Sequence, residues 1–139
     1  MTTAQDIMHT GATCVQESET LEDAARRMSE LNVGALPICG PDDRLHGIIT
    51  DRDIVIKCLA KGKDPKRMTA GELEQGKPIT VDADTDADQL LHLMEKHRVR
   101  RLPVISEHRL VGMISEADLA RHLPEEQVGH FVEVVCAAS

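Results

Sequence analysis

The stretch Gly47-Ile48-Ile49-Thr50-Asp51-Arg52-Asp53 returns later in the chain as Gly112-Met113-Ile114-Ser115-Glu116-Ala117-Asp118. Each copy is a glycine, two apolar residues, a hydroxyl residue and a carboxylate three places on. The apolar pair suits the end of a buried strand, and the hydroxyl stands where a following helix is capped. Such a helix start offers unpaired backbone N–H groups and the positive end of a dipole, which suit a phosphate. A carboxylate one turn along does not help a phosphate, but it accepts hydrogen bonds from a ribose diol. The functional meaning is a nucleotide held by sugar and phosphate, twice over. The plain meaning is a pair of helix caps, each worth about 1 kcal/mol.

The elements that must position these junctions repeat as well. Thr3-Ala4-Gln5-Asp6-Ile7 matches Thr69-Ala70-Gly71-Glu72-Leu73, both capping-box-like starts of a short helical turn. Cys14-Val15 matches Thr80-Val81, each a short extended segment. A helix with Leu21, Ala24, Ala25, Met28 and Leu31 on its apolar stripe matches one with Ala87, Leu90, Leu91 and Met94. Thr20 and Asp86 are the N-cap candidates. The apolar runs around Leu36-Pro37-Ile38 and Leu102-Pro103-Val104 read as strands, and a proline there predicts an edge position or a strand start. Turns at Gly40-Pro41-Asp42-Asp43 and Ser106-Glu107-His108 make each strand pair a hairpin. Ile54, Val55, Cys58 and Leu59 are expected to face the core in one closing helix, and Leu119, Ala120 and Leu123 in the other.

The fold class is therefore α/β (α+β), two β-α-β-β-α repeats about a pseudo-two-fold axis, with a C-terminal helix. The expected boundaries are repeat 1 at 1–65, repeat 2 at 66–124 and a helical tail at 125–139 carrying Val128, Phe131, Val132 and Val135. A unit of this size buries too little surface to be comfortable alone.

Composition narrows the function classes. The 139 residues carry a formal net charge of -8, with 24 acidic against 16 basic residues, and no basic run suited to nucleic acid. One Phe, no Trp and no Tyr leave no stacking platform for single-stranded nucleic acid. No apolar run approaches the ~18 residues that span a membrane. The N-terminal sequence lacks the pattern of a secretion signal, so a cytoplasmic location is expected. The cysteines, Cys14, Cys39, Cys58 and Cys136, have no metal-binding spacing, and the histidines are scattered, so no metal site is expected. Without a nucleophile–base–orienter set or a glycine-rich dinucleotide loop, the chain does not read as an enzyme.

The doubled pattern, the Leu-Pro-Ile/Val strand and the Gly-x-x-Thr/Ser-x-x-Asp ending resemble the CBS (cystathionine β-synthase) domain, and two in tandem resemble a Bateman module. Within that superfamily the chain is similar to the small stand-alone actinobacterial proteins of the hypoxic response protein type. The resemblance implies a non-catalytic sensor, in a stress or hypoxia setting, for adenosine derivatives: AMP, ADP, ATP, NAD or S-adenosylmethionine, none of them a required cofactor. It places Thr50 and Ser115 at the phosphate and Asp53 and Asp118 at the ribose. Cys14, Val15, Leu36 and Pro37 would lie beside the base in one site, and Thr80, Val81, Leu102 and Pro103 in the other. Thr80 keeps the small hydroxyl residue that Cys14 replaces, and Arg100 and Arg101 add positive charge only to the second site, which is therefore the preferred one; the plain meaning of the arginines is a solvated pair beside acidic neighbours.

The resemblance also implies a homodimer, with an unidentified protein partner for a sensor. The alternative is a ligand-free structural homodimer with vestigial sites, its working surface at Ile54, Cys58 and Leu59 or at Val128 and Phe131. Cys14 on the first strand and Cys39 ending its parallel neighbour are either a disulfide or two buried thiols.

Overall fold

The structure, a computed structural model, describes residues 1–10, 13–42, 44–74, 76 and 78–137. Asp43 of the first predicted turn lies outside them. The chain divides into two compact units, Thr13–Pro78 and Met1–Ala12 with Ile79–Ser139. These units do not follow the sequence repeats. The leading segment of each repeat belongs to the unit built mainly from the other.

In the unit Thr13–Pro78, β1 (Val15–Gln16) runs parallel to β2 (Ala35–Cys39), with α2 (Leu21–Leu31) between them in sequence. β2 then turns back into β3 (Leu45–Thr50), giving the sheet order β1-β2-β3. Thr20 caps α2 in a capping box with Asp23, and Asn32 closes it in the left-handed conformation that asparagine tolerates well. Leu21, Ala24 and Met28 face the core with Val15, Leu36 and Ile49. Ala25 and Leu31 are exposed, contrary to expectation, because the small sheet offers room for only a narrow helix stripe.

After α3 (Asp51–Ile54) the helix widens into a π segment, Val55–Leu59, marked by the i→i+5 bond from Ala60 N–H to the Val55 carbonyl. The wider turn keeps Ile54 and Cys58 inside but swings Val55 and Leu59 outward, where an α-helical period would have kept all four inside. The segment that opens the second repeat joins this unit. Thr69 starts a 3-10 turn over Ala70–Leu73 that packs Ala70 and Leu73 into the same core, and Thr69 pairs with Thr20.

The other unit repeats the scheme. β4 (Val81–Asp82) is parallel to β5 (Arg101–Ser106), and β5 is antiparallel to β6 (Arg109–Ser115). α4 (Ala87–His97), capped by Asp86, presents Leu90, Leu91 and Met94 to the core. α5 (Glu116–His122) follows β6, and α6 (Glu125–Cys136) supplies the predicted terminal helix. Phe131 and Val135 of α6 are core residues, and so is Leu119 of α5, whereas Ala120 is exposed. Burial of Ile54, Cys58 and Phe131 removes them from any working surface; among the described residues the exposed large apolar side chains are Leu31, Val55, Ile56, Leu59 and Val132, besides Met1.

The start of the chain completes this unit. α1 (Ala4–Ile7) buries Ala4 and Ile7 in its core, and His9 exchanges two backbone hydrogen bonds with Met113 of β6. Gly112 makes that approach feasible: a Cβ there would lie 2.9 Å from the His9 carbonyl oxygen. The prolines also behave differently from expectation. β2 and β5 are the middle strands, yet β1 pairs only with Ile38 and Cys39, and β4 only with Val104 and Ile105. Pro37 and Pro103 therefore lie just outside the parallel ladder, where a missing N–H costs no bond.

Candidate functional site

At the end of β6, Ser115 and Asp118 form the capping box of α5. Asp118 Oδ2 accepts from the Ser115 N–H at 2.8 Å, the Ser115 hydroxyl at 3.0 Å and His9 Nδ1 at 2.7 Å. Arg121 donates to Oδ1 at 2.7 Å. Burial alone would push this carboxyl up, but the bonds from His9, Ser115 and Arg121 outweigh it and hold it below the ordinary carboxylate range. The side chain is 2% exposed, and both oxygens are engaged. A ribose diol would have to displace donors already bound to it.

The other residues expected here are distributed around the junction. Arg101 opens β5 directly opposite Ser115 in register and is half-buried. Arg100 is exposed and pairs with Glu116 at 3.5 Å, which gives it its plain role of a surface ion pair. Thr80 is half-buried just before β4, while Val81, Leu102 and Pro103 are buried, with the Val81 and Leu102 side chains in the core.

The Thr50–Asp53 junction has the same cap and a different carboxylate. Asp53 Oδ2 accepts from the Thr50 N–H at 3.0 Å, and the Thr50 hydroxyl accepts from the Asp53 N–H at 3.0 Å. Asp53 Oδ1 pairs with Lys57 Nζ at 3.3 Å, and the side chain is 16% exposed. Val15 and Leu36 point into the core and Pro37 is buried, so what these strands leave for a base is backbone. Cys14 lies one residue before β1 and is disulfide-bonded to Cys39, Cα to Cα 5.6 Å. Its carbonyl accepts from Arg27 at 2.7 Å, and Arg27 also pairs with Glu19 at 2.9 Å, fixing the strand's entry.

Sequence spacing gave no warning of a third group. Glu17, His46 and Glu74 bring one carboxylate or imidazole donor atom each within 4.8 Å of one another. Burial, and then the Glu17 carboxylate beside it, push the Glu74 carboxyl above its ordinary range, with His46 opposing the shift. His9 was likewise invisible as a partner of Asp118, since the two are 109 residues apart. Lys57 carried a signal: it stands four residues after Asp53 on one helical face.

Replacing Asp118 with Asn should destabilise the chain by about 1.5–3 kcal/mol at neutral pH, the scale of hydrogen bonds to a charged group. Because the folded carboxyl sits below 3.8, that stabilisation is present above 3.8 and is lost as pH falls through the lower folded value. Urea unfolding of both proteins should show the gap in full at neutral pH and closing in the acid range below 3.8.

The CBS domain family model matches residues 4–59 and 70–125. Hypoxic response protein 1 of Mycobacterium tuberculosis is 60% identical over 137 residues, covering 99% of this chain and 96% of that protein. A crystal structure of Hypoxic Response Protein I with two coordinated zinc ions matches with a TM-score of 0.80 and 63% identity, over 88% of this chain and 100% of that one. The CBS domain pair of protein MJ0100, solved with 5'-methylthioadenosine and S-adenosyl-L-methionine, matches with a TM-score of 0.77 and 29% identity, over 87% of this chain and 94% of that one. With both repeats matched and the αβ order of each present, the chain belongs to the CBS domain family, as a tandem pair.

Proposed function

We propose that this CBS pair is a non-catalytic regulatory module that binds an adenosine derivative at the Thr50–Asp53 junction rather than at Ser115–Asp118. The carrying observation is the free acceptor capacity of Asp53. Its outer oxygen pairs with the half-exposed Lys57, an ion pair of a kind worth about 0–1 kcal/mol. A ribose diol donating to a carboxylate offers about 1.5–3 kcal/mol, enough to displace it. At Asp118 the same diol would compete with His9 and Arg121 for a saturated, buried carboxylate, a far poorer exchange. The adenosine ligands of the MJ0100 pair support the ligand class. The sequence preference for the second site rested on Thr80 in place of Cys14 and on Arg100 and Arg101. Arg100 is already paired with Glu116, which weakens that preference.

The proposal includes a homodimer. Its support is the outward apolar group Val55, Ile56 and Leu59 on the π segment, exposed by 50%, 43% and 54%. Light scattering should return twice the 15.3 kDa chain mass; a monomer mass would contradict it.

Calorimetric titration with AMP, ATP, NAD and S-adenosylmethionine tests the ligand. At least one should bind, and Asp53→Asn should weaken it by roughly 10- to 150-fold, the equivalent of 1.5–3 kcal/mol. Asp118→Asn should change the affinity by less than about threefold. No binding by any of the four would leave the ligand-free structural homodimer as the better account. Loss of binding in Asp118→Asn alone would move the site to the second junction.

A further inference from the structure

We propose that His9 is a side-chain gate on the second junction: its imidazole holds Ser115–Asp118 closed, and turning it out to solvent opens a second place for the ribose of an adenosine derivative. The ligand class rests on the proposed function of the first junction. The gate itself rests on the contacts of Asp118.

A comparison of the two carboxylates isolates His9. In each, the outer oxygen pairs with a long basic side chain of its own helix: Arg121 on Asp118 Oδ1 and Lys57 on Asp53 Oδ1. Arg121 is 63% exposed, so this contact is a surface pair that yields readily to a ligand. In each, the inner oxygen accepts the N–H of the capping residue, at 2.8 Å from Ser115 and 3.0 Å from Thr50. The Ser115 hydroxyl also donates to Asp118, but it belongs to the junction itself and can turn toward a phosphate. His9 is the donor that comes from elsewhere in the chain, and at 2.7 Å it makes a short, charge-assisted contact. With it in place the Asp118 side chain is 2% exposed, against 16% for Asp53.

The imidazole can leave without unfolding anything. The His9 backbone is pinned to β6 by its two hydrogen bonds with Met113, and Ala4 and Ile7 hold α1 in the core. Neither anchor involves the ring. The His9 side chain is 42% exposed, so rotation about its side-chain bonds carries the ring into water while the backbone stays. The chain start is thus a fixed post and the imidazole its moving part. A ligand at the second junction has to outcompete the ring, so its apparent affinity falls by the fraction of time the gate is open. The pair would then respond at two ligand concentrations rather than one.

The test is calorimetric titration of the full chain and its variants with AMP, ATP, NAD and S-adenosylmethionine, read as sites per chain. For at least one of these, His9→Ala should show one site more than the parent over the same concentration range. His9→Asn, whose amide N–H stands the same number of bonds from the backbone as Nδ1, should keep the parent's number. Adding Asp118→Asn to His9→Ala should weaken the gained site at least about tenfold. Protected exchange at the Met113 amide checks that His9→Ala keeps its fold, and His9→Ser serves in its place if it does not. A parent without any site and one site in His9→Ala would sustain the gate while removing the first-junction reading. The parent's number of sites in the folded His9→Ala or His9→Ser chain, for all four compounds, would overturn the gate, and so would an equal gain in His9→Asn.

Discussion

A carboxylate with 1% of its residue surface exposed survives only if donors surround it, and Asp118 is surrounded by the Ser115 N–H and hydroxyl, His9 and Arg121. Two of these donors come with the capping box, and any Ser-x-x-Asp helix start could supply them. His9 does not. It reaches Asp118 because α1 packs Ala4 and Ile7 into the unit formed by the second repeat and because Gly112 lets the chain pass close to β6. The junction is thus a product of how the chain start is placed.

This placement makes two alike sequences chemically unlike. In the unit Thr13–Pro78 the corresponding leading segment, Thr69 to Leu73, packs Ala70 and Leu73 into the core, but no described residue from it reaches Asp53. Asp53 keeps an oxygen held by the surface pair with Lys57. What the segment brings instead is Glu74, which lands beside Glu17 and His46. One leading segment closes a carboxylate, while the other adds one to a group that already had one. The disulfide Cys14–Cys39 holds β1 against β2 in the same unit, three residues before Glu17.

Much of the fold was legible because it rests on short-range chemistry. The caps at Thr3, Thr20, Thr50, Thr69, Asp86 and Ser115 are four-residue patterns, and each stands at a helix or 3-10 start. The repeat order followed from internal similarity, and the Cys14–Cys39 bridge was one of two open alternatives for strands correctly paired in parallel. What escaped depends on distance in sequence or on small departures from a regular period. The π segment rotated Val55 and Leu59 outward although their spacing fits an α-helical core stripe. The Glu17–His46–Glu74 group and the His9–Asp118 bond join residues from separate repeats, where no local motif can announce them. Composition could suggest a nucleotide junction, but not which copy remains open.

The central claim is that the chain start is a structural part of the second unit and so occupies the Ser115–Asp118 junction. Native-state hydrogen exchange at His9 and Met113, whose amides bond to each other's carbonyls, tests it most directly. The account predicts that both amides open together with core amides of β5 and β6, such as Val104 and Ile114. Rapid, unprotected exchange across residues 4–9, with β5 and β6 still protected, would contradict it and return Asp118 to the same open state as Asp53.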